Sequence, residues 1–347
     1  MTNRIRKEQV KVLGIDLAKQ SFQLHGQDKR GHKVLNEKLS RRKLTAYVAN
    51  LPPCLIGMEA CSGSNYWYRV FTEMGHTVRL MAPQLVKPFV KSNNKNDAID
   101  AEAICEAVQR PTMRFVSPKS IEQQDIQSIH RIRNQTVKTR TKQASQIRGL
   151  LAEYGITVPK GINHLRKQIP EILEDEENSL RMVFRELLSE SYEYMLYLDE
   201  RIAFLEKKLE AVKEQSEDCK LLLTIPGIGL LTATALVAAI GDPSVFKNGR
   251  ELAAWLGLVP QQHSTGGKPT LGRIRKRCDK YLRTLLIHGG RSVVRVAHKR
   301  KDYRSQWINK LRERRGENIS AVAVANKNVR AAWAILSKKC SYVPVSA

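Results

Sequence analysis

Short apolar runs alternate with amphipathic stretches in the first third of the chain. Two of these runs end at an acid, the first at Asp16 and the second at Glu59. Other runs alternate between apolar and polar positions, which is typical of a β-meander. The predicted strands cover residues 11–16, 21–26, 32–35, 54–58 and 77–81. Helices separate the later strands, so the order predicts an α/β domain built on an open sheet.

Helical periods dominate the rest of the chain. Apolar residues recur in steps of mostly three and four over one long stretch, which predicts a coiled coil or an antiparallel helical hairpin. Such a segment is an arm or a dimerisation element. Its apolar positions are Phe184, Leu188, Met195, Leu198, Ile202, Leu205, Leu209 and Val212.

A glycine-rich turn opens the last part of the chain. Pro226-Gly227-Ile228-Gly229 leads into an apolar helix over 230–240. This arrangement fits a helix-hairpin-helix element, which offers backbone N–H groups to phosphates, and equally an ordinary tight turn between packed helices. Further on, residues 263–268 are predicted to form a flexible polar loop, and an alanine-rich helix is predicted around 321–336. We therefore expect three parts, spanning 1–115, 116–218 and 219–347.

The chain carries a large excess of positive charge. Its 347 residues include 59 Lys plus Arg against 34 Asp plus Glu, a net charge of +25. Such an excess indicates a polyanionic partner, most simply nucleic acid, because binding releases counterions from the phosphates. The longest apolar run, 230–240, is too short to cross a membrane, and the N-terminus does not resemble a signal peptide. The six scattered cysteines favour a reducing cytoplasm over a disulfide framework.

Four carboxylates form the candidate chemistry. Asp16 and Glu59 follow strands, where open α/β sheets usually place their sites. Asp97 and Asp100 are three residues apart and therefore share one face of a helix. The acids could simply mark surface positions and a helix start that faces the positive end of the helix dipole. Alternatively, they could hold two Mg²⁺ ions for phosphoryl transfer, since hard cations prefer oxygen ligands.

Basic residues concentrate in two stretches. The first lies on the helix predicted over 125–153, where a solvated face and a phosphate-binding face are about equally good interpretations. The second follows the polar loop. The candidate nucleic-acid contacts are Arg131, Arg133, Lys138 and Arg140 in the first stretch, and Lys268, Arg273, Arg275, Lys276 and Arg277 in the second.

Several short motifs, in this order along the chain, resemble one known family. They are Gly14-Ile15-Asp16, Met58-Glu59-Ala60-Cys61-Ser62-Gly63, Asn96-Asp97-Ala98-Ile99-Asp100-Ala101, Ile225-Pro226-Gly227-Ile228-Gly229, Gly257-Leu258-Val259-Pro260, Ser264-Thr265-Gly266-Gly267-Lys268 and Leu271-Gly272-Arg273-Ile274. The chain thereby resembles the DEDD transposases of insertion sequences, which are bridge-RNA-guided recombinases. Their N-terminal domain is similar to the Holliday-junction resolvase RuvC, of ribonuclease-H-like fold. The resemblance covers nearly the whole chain.

The resemblance implies a role for each candidate residue. It implies that Asp16, Glu59, Asp97 and Asp100 bind Mg²⁺, two ions per active site, in a RuvC-like domain. It implies that Ser264, in a C-terminal transposase domain, attacks a DNA phosphate and forms a covalent phosphoserine. Thr265 takes that place if the match is shifted by one residue.

The resemblance also implies the partners. They are donor and target DNA, a bridge RNA that guides both, and further copies of this chain in a dimer or tetramer, without a membrane. The expected location is the cytoplasm of a bacterium or archaeon, at the nucleoid. Two other functions remain open from the residues alone. One is a RuvC-like, structure-selective endonuclease that uses water, and the other is a basic scaffold without activity.

Overall fold

The computed structural model describes residues 7–90, 96–274 and 278–344. The chain divides into two compact units, Met1–Ser120 and Ile121–Ala347. The first unit contains the sheet predicted for the N-terminal part, and the second is mainly helical. The α/β class and the helical C-terminal region are thus confirmed. The finer division of the second unit at residue 218 stays a prediction.

The first unit is a six-stranded mixed sheet with helices. Its elements are β1 (Val12–Leu17), β2 (Ser21–Gln27), β3 (Lys33–Ser40), α1 (Arg41–Ala49), β4 (Leu55–Glu59), α2 (Ser64–Glu73), β5 (Thr77–Met81), α3 (Pro83–Val86), α4 (Asp97–Val108) and β6 (Phe115–Val116). The strand order is β3-β2-β1-β4-β5-β6. The first three strands form the antiparallel meander, β1, β4 and β5 run parallel, and the short β6 closes the edge antiparallel to β5.

Apolar side chains of the sheet form the core of the first unit. Phe22, Ile56 and Met58 are fully buried and belong to one cluster. Helix α2 adds Trp67, whose ring lies edge-on to Phe22 with centroids 5.2 Å apart. Strands β1 and β4 are apolar and mostly buried up to their acids, as is typical of parallel strands covered on both faces, whereas β5 alternates between exposed and buried positions.

Helix α4 crosses β1 at a glycine. A Cβ atom on Gly14 would lie 2.8 Å from Cys105 Cβ and closer still to the carbonyl oxygen of Ala101. Only a residue without a side chain lets the helix backbone approach the strand this closely. Ala101 and Cys105 face the strand, so the acidic first turn of α4 lies beyond them, toward the carboxyl end of β1.

The second unit consists of helices and one β-hairpin. Its elements are α5 (Ile121–Ala152), α6 (Ile162–Glu174), α7 (Met182–Gln215), α8 (Glu217–Leu223), α9 (Leu230–Ile240), α10 (Gly249–Trp255), β7 (Pro260–Thr265), β8 (Lys268–Ile274), α11 (Lys280–Val296) and α12 (Tyr303–Lys338). Helix α12 contains a kink at Gly316, whose φ of 79° is not helical. None of the described helices is long and apolar enough to cross a membrane.

The periodic apolar residues of α7 form its buried face. Seven of the eight are buried, and α7 packs along α5. On that face, Phe184, Leu188 and Met195 form a hydrophobic core with Ile147 and Leu151 of α5. The long helix predicted from the spacing is therefore present, and it is covered by neighbouring helices of the same unit.

The glycine turn at Pro226-Gly227 is packed inside the second unit. Gly227 has a φ of 92°, and a Cβ atom there would lie 2.7 Å from both the carbonyl oxygen of Gly289 and a methyl carbon of Val293. The carbonyl oxygen of Pro226 accepts a hydrogen bond of 3.0 Å from Asn328. In this environment the turn is a close contact between packed helices, as the second of the two interpretations predicts.

Candidate active site

The carboxylates of Asp16 and Glu59 meet at one edge of the sheet. Strands β1 and β4 pair in parallel, and the pairing of Ile15 with Met58 puts the next residue of each strand side by side. Both acids lie at or near the carboxyl ends of their strands and are half-buried. The structure thus places these two predicted residues together, as the strand pattern leads one to expect.

The first turn of α4 brings two further acids to the same unit. Asn96 caps the helix, and its side-chain oxygen accepts a 3.0 Å hydrogen bond from the backbone N–H of Ala98. Asp97 and Asp100 occupy the first turn, where the helix dipole favours negative charge. Asp97 is about half exposed and forms a 3.1 Å ion pair with Lys38 of β3. Nothing in the sequence pattern indicates this partner, because the two residues are distant along the chain.

The charges of three acids act on each other. Burial raises the pKa of the Glu59 carboxyl, and the negative charges of Asp16 and Asp100 raise it further. The same acids affect a neighbour, since burial and then the charges of Glu59 and Asp16 raise the pKa of the Cys61 thiol. Asp16 and Asp100 must therefore lie near Glu59, and a cation beside these carboxylates would favour the charged form of Glu59.

The donor chemistry of this site fits a hard divalent cation. All of its candidate ligands are carboxylates, which suit Mg²⁺. In the side-chain positions observed, the described part of the chain contains no group of three or more His, Cys, Asp or Glu residues that could already hold a metal ion. The chemistry of the carboxylates and the effect of Asp16 and Asp100 on Glu59 fit such an ion.

Ser264 lies on an exposed β-hairpin, which replaces the flexible loop predicted for this stretch. Strands β7 and β8 pair antiparallel, with Ser264 opposite Pro269 and Thr265 opposite Lys268. The turn between them has φ values of 58° and 78° at its two glycines, as a two-residue hairpin turn requires. Pattern analysis missed the strands because neither face is buried, so no apolar alternation marks them.

The hydroxyl of Ser264 is accessible. Its Oγ accepts a 2.8 Å hydrogen bond from the side-chain amide of Gln262, two residues earlier on β7. The serine belongs to the second unit and the acids to the first. The hairpin therefore presents an accessible serine hydroxyl on the second unit.

The predicted basic contacts differ in their surroundings. Arg133 forms an ion pair with Glu206, and Arg140 forms one with Asp199 at 2.6 Å, so both help to pack α5 on α7. Arg131 and Lys138 are exposed on α5. On β8, Lys268 and Arg273 are exposed as well. The remaining three candidates, Arg275, Lys276 and Arg277, lie outside the described residues.

Comparison with known proteins decides the family. A family model for DEDD transposases of the IS110 type matches residues 13–156, and the model described as "Transposase IS116/IS110/IS902 family" matches residues 219–305. A probable family 20 transposase of Pseudomonas aeruginosa is 48% identical over 96% of this chain and 98% of its own length. The chain belongs to the IS110 family of insertion-sequence transposases.

Two further relatives cover nearly the whole transposase. The transposase of insertion sequence element IS1111A from Coxiella burnetii is 44% identical over 96% of this chain and 91% of its own length. That of element IS1328 from Yersinia enterocolitica is 42% identical over 95% of this chain and 97% of its own length. The first family model spans all four acids, and the second spans the hairpin with Ser264. The resemblance drawn from the short motifs is thus confirmed, and the protein is an enzyme of DNA transposition.

Proposed function

We propose that this transposase cuts and rejoins DNA strands through a covalent phosphoserine at Ser264, next to Mg²⁺ held by Asp16, Glu59, Asp97 and Asp100. The observation that carries the proposal is the proximity of Asp16 and Asp100 to Glu59: burial raises the pKa of Glu59, and the charges of these two acids raise it further. A pair of Mg²⁺ ions would supply stabilisation of the negative charge that develops on the phosphate. The strand order, with an antiparallel meander beside parallel strands, supports a ribonuclease-H-like first unit.

The serine conserves the energy of the cleaved bond. Its Oγ forms a bond to the DNA phosphorus and loses its proton, while the bond from phosphorus to the leaving DNA oxygen breaks and that oxygen gains a proton. Attack on the phosphoserine by a hydroxyl of another strand reverses these changes and frees the serine. The exposed hairpin is suited to this role, because its tip can enter a DNA-bound site without disturbing a core.

A guide RNA and two DNA segments are the partners we propose. The net charge of +25 suits a chain that binds several polyanions at once. Arg131 and Lys138 are the exposed candidates on α5, whereas Arg133 and Arg140 would act from their ion pairs. Lys268 and Arg273, together with Arg275, Lys276 and Arg277, would bind the DNA that Ser264 attacks. A protein acting on chromosomal DNA in this way works at the nucleoid of the cytoplasm.

A second copy of the chain is a further proposed partner. Helix α7 has an exposed stripe, about 100° round the helix from its buried face, that also repeats in steps of three and four: Val183, Leu187, Glu190, Tyr194, Tyr197, Arg201, Phe204 and Lys208. In an antiparallel pair centred between the two tyrosines, Glu190 lies opposite Arg201 of the partner subunit and Leu187 opposite the partner's Phe204. This self-complementarity in charge and apolar contact supports a two-fold dimer.

A covalent protein–DNA adduct tests the proposal. The full-length protein is incubated with Mg²⁺, RNA transcribed from the flanks of its element, and DNA that carries the element's ends. We expect an adduct that survives denaturation, its loss in Ser264→Ala, and its retention in Thr265→Ala. Ser264 is exposed, so the substitution should leave the fold intact, which circular dichroism verifies.

The alternative is a RuvC-like endonuclease that uses water. It predicts that Ser264→Ala still cuts DNA and that no adduct forms. Loss of cutting in Asp16→Asn would be common to both mechanisms, because both need the acids. The adduct and the Ser264→Ala variant therefore distinguish them.

A further inference from the structure

A cavity of about 850 Å³ lies among the helices of the second unit. Its walls come from the Pro226-Gly227 turn, the end of α11, both halves of the kinked α12 and the segment after it. Its size is that of a small-molecule site, and a nucleic-acid duplex is too wide to enter it. None of the proposed catalytic residues lines it.

Positive charge dominates the lining of this cavity. Four cations surround it, and none of them has an ion pair with a carboxylate among the described residues: Arg300, Arg304, Lys327 and Arg330. The lining includes one acid, Asp302, whose carboxylate already caps α12 by accepting hydrogen bonds of 3.0 Å and 2.7 Å from the N–H and hydroxyl of Ser305. Hydrogen bonds from Ser305, and to a smaller extent the charge of Arg300, lower the pKa of Asp302, so the walls carry four positive charges against one negative charge.

Two of the cations, Arg304 and Lys327, lie in surroundings that disfavour their positive charge. Arg304 donates to the side-chain oxygen of Asn328 and, at 3.1 Å, to the hydroxyl of Tyr342, while its buried Nε has no hydrogen-bond partner among the described residues. The Lys327 ammonium lies 3.7 Å from the ring centroid of Trp307. Burial lowers the pKa of Lys327, and the charges of Arg304 and Arg330 lower it further. A bound anion would relieve this repulsion.

The other walls of the cavity are apolar. Pro226, Val293, Val296 and Ala331 contribute carbon surface beside the cations. The ring of Tyr303, about half exposed, stands at the rim. A site that joins a phosphate-binding edge to an apolar wall and an accessible aromatic ring has the features of a nucleotide site in single-stranded nucleic acid, where bases stack on aromatic side chains.

We infer that this cavity binds one unpaired nucleotide of a nucleic-acid strand. The phosphate lies against Arg300, Lys327 and Arg330, and the base lies against the apolar wall and the ring of Tyr303. The inference extends the DNA-related activity of the family and does not need the proposed serine chemistry. The chemistry that DNA and RNA share, a phosphate and a base linked through a sugar, is what the cavity recognises.

Binding of short oligonucleotides tests the inference. Full-length Ser264→Ala protein in EDTA, which cannot react, is titrated with a fluorescent ten-nucleotide thymidine strand, the matching uridine strand, an abasic strand and a duplex of equal length. We expect the base-bearing strands to bind at least tenfold more tightly than the abasic strand. The ratio between thymidine and uridine strands shows whether DNA or RNA is the preferred source.

Two pairs of charge-removing variants distinguish binding in the cavity from a general effect of the protein's positive charge. Arg300→Gln with Lys327→Gln should weaken single-strand binding about tenfold or more. The matched control, Arg314→Gln with Arg315→Gln, removes the same charge from exposed positions of α12 outside the cavity and should change binding by less than about twofold. Equal losses in the two pairs would overturn the inference.

A variant that covers the apolar wall tests whether a base lies there. Val296 is 39% exposed and lines the cavity, so Val296→Trp should place its ring against this wall without disturbing a packed core. We expect this variant to bind the thymidine and abasic strands equally. If the wild type already binds them equally, or if Val296→Trp keeps the preference, no base enters the cavity and the inference fails. The result is independent of whether Ser264 forms an adduct.

Discussion

At the scale of single residues, the raised pKa of Glu59 reflects the crowding of carboxylates in the candidate metal site. Burial raises the pKa of its carboxyl, and Asp16 and Asp100 raise it further. A carboxyl with a raised pKa in the folded state binds protons more strongly than it does in the unfolded chain. Its contribution to stability is therefore present at acidic pH and is lost as pH rises above the ordinary glutamate range.

Removing one neighbouring negative charge should make Glu59 easier to ionise. We expect Asp100→Asn to lower the pKa of Glu59, measured by NMR titration of the labelled carboxyl, and to raise the melting temperature of the first unit at neutral pH in EDTA. Mg²⁺ should stabilise the wild type and lose most of this effect in the variant. These readouts do not depend on transposition activity.

An exposed acid provides the comparison for this experiment. Glu73 lies at the end of α2 and is exposed, so Glu73→Gln should change neither the Glu59 titration nor the response to Mg²⁺. If Asp100→Asn leaves the pKa of Glu59 unchanged, the acids do not share a site and the metal proposal loses its basis.

His130 shows that a residue in a basic stretch can be a neutral core residue. Its ring is 3% exposed and bonds Tyr281 at 3.0 Å and Thr234 at 2.9 Å. Burial, and then the charge of Arg133, lowers its pKa to about 4. Folding therefore opposes protonation, so stability is complete above the unfolded value near 6.5 and falls as pH drops toward 4.

The pH dependence of unfolding checks this behaviour. Lowering the pH from 7 to 5 should reduce the free energy of unfolding of the second unit by about 2 kcal/mol through His130 alone. His130→Gln should lose that component of the pH dependence, measured by denaturant unfolding of both proteins at each pH. The exposed His164 gives the control, since His164→Gln should keep the wild-type dependence. An unchanged pH dependence in His130→Gln would contradict the buried, neutral state.

At the scale of elements, the contact of α4 with β1 places the acids. Gly14 is the point of closest approach, and the space that a Cβ would need is filled by Cys105 and the backbone at Ala101. We expect Gly14→Ala to destabilise the first unit by about 1–3 kcal/mol, as overpacking does. Because the helix must move, Asp97 and Asp100 should shift from Asp16 and Glu59, and Mg²⁺ should stabilise the variant less than the wild type.

A second glycine distinguishes this contact from a general effect of alanine. Gly149 lies inside α5, and a Cβ atom there would meet nothing within 4 Å. Gly149→Ala should therefore stabilise the protein by about 0.5–1 kcal/mol. Thermal unfolding of both variants makes the comparison, and equal effects would mean that the approach at Gly14 does not control the position of α4.

Elements that bury an apolar face were predictable, and exposed ones were not. The strands that carry Asp16 and Glu59 are apolar runs, and their acids at the carboxyl ends could be paired because parallel strands end at one edge. The hairpin that carries Ser264 has no buried face, so composition suggested a loop. Only the two adjacent glycines hinted at a tight turn.

Polar contacts between residues distant along the chain could not be predicted from the sequence either. Lys38 and Asp97 meet because β3 and the start of α4 approach in the fold, and no local pattern links them. Arg133 and Arg140 appeared to be free cations, yet acids of α7 neutralise them across a helix contact. Charge counting identifies a nucleic-acid protein, but it does not separate the cations that bind phosphates from those that join helices.

At the scale of the whole molecule, the buried and exposed stripes of α7 have separate tasks. The buried stripe holds α7 to its own unit, whereas the exposed one carries apolar rings beside charges of both signs. Its N-terminal half contributes Glu190, and its C-terminal half contributes Arg201 and Lys208. Reversing the direction of a second α7 makes these halves complementary, which is the basis of the proposed two-fold dimer.

Charge reversal on this stripe tests the dimer and its direction together. Glu190→Arg and Arg201→Glu each place like charges opposite one another, so each should weaken dimerisation about tenfold or more, as measured by light scattering across a concentration series. The double variant restores opposite charges at both crossings and should recover the dimer. Glu210→Arg, an exposed change off the stripe, should leave assembly unaltered. Because a parallel pair would set Glu190 against itself, recovery in the double variant requires the antiparallel arrangement, and its failure would remove α7 from the interface.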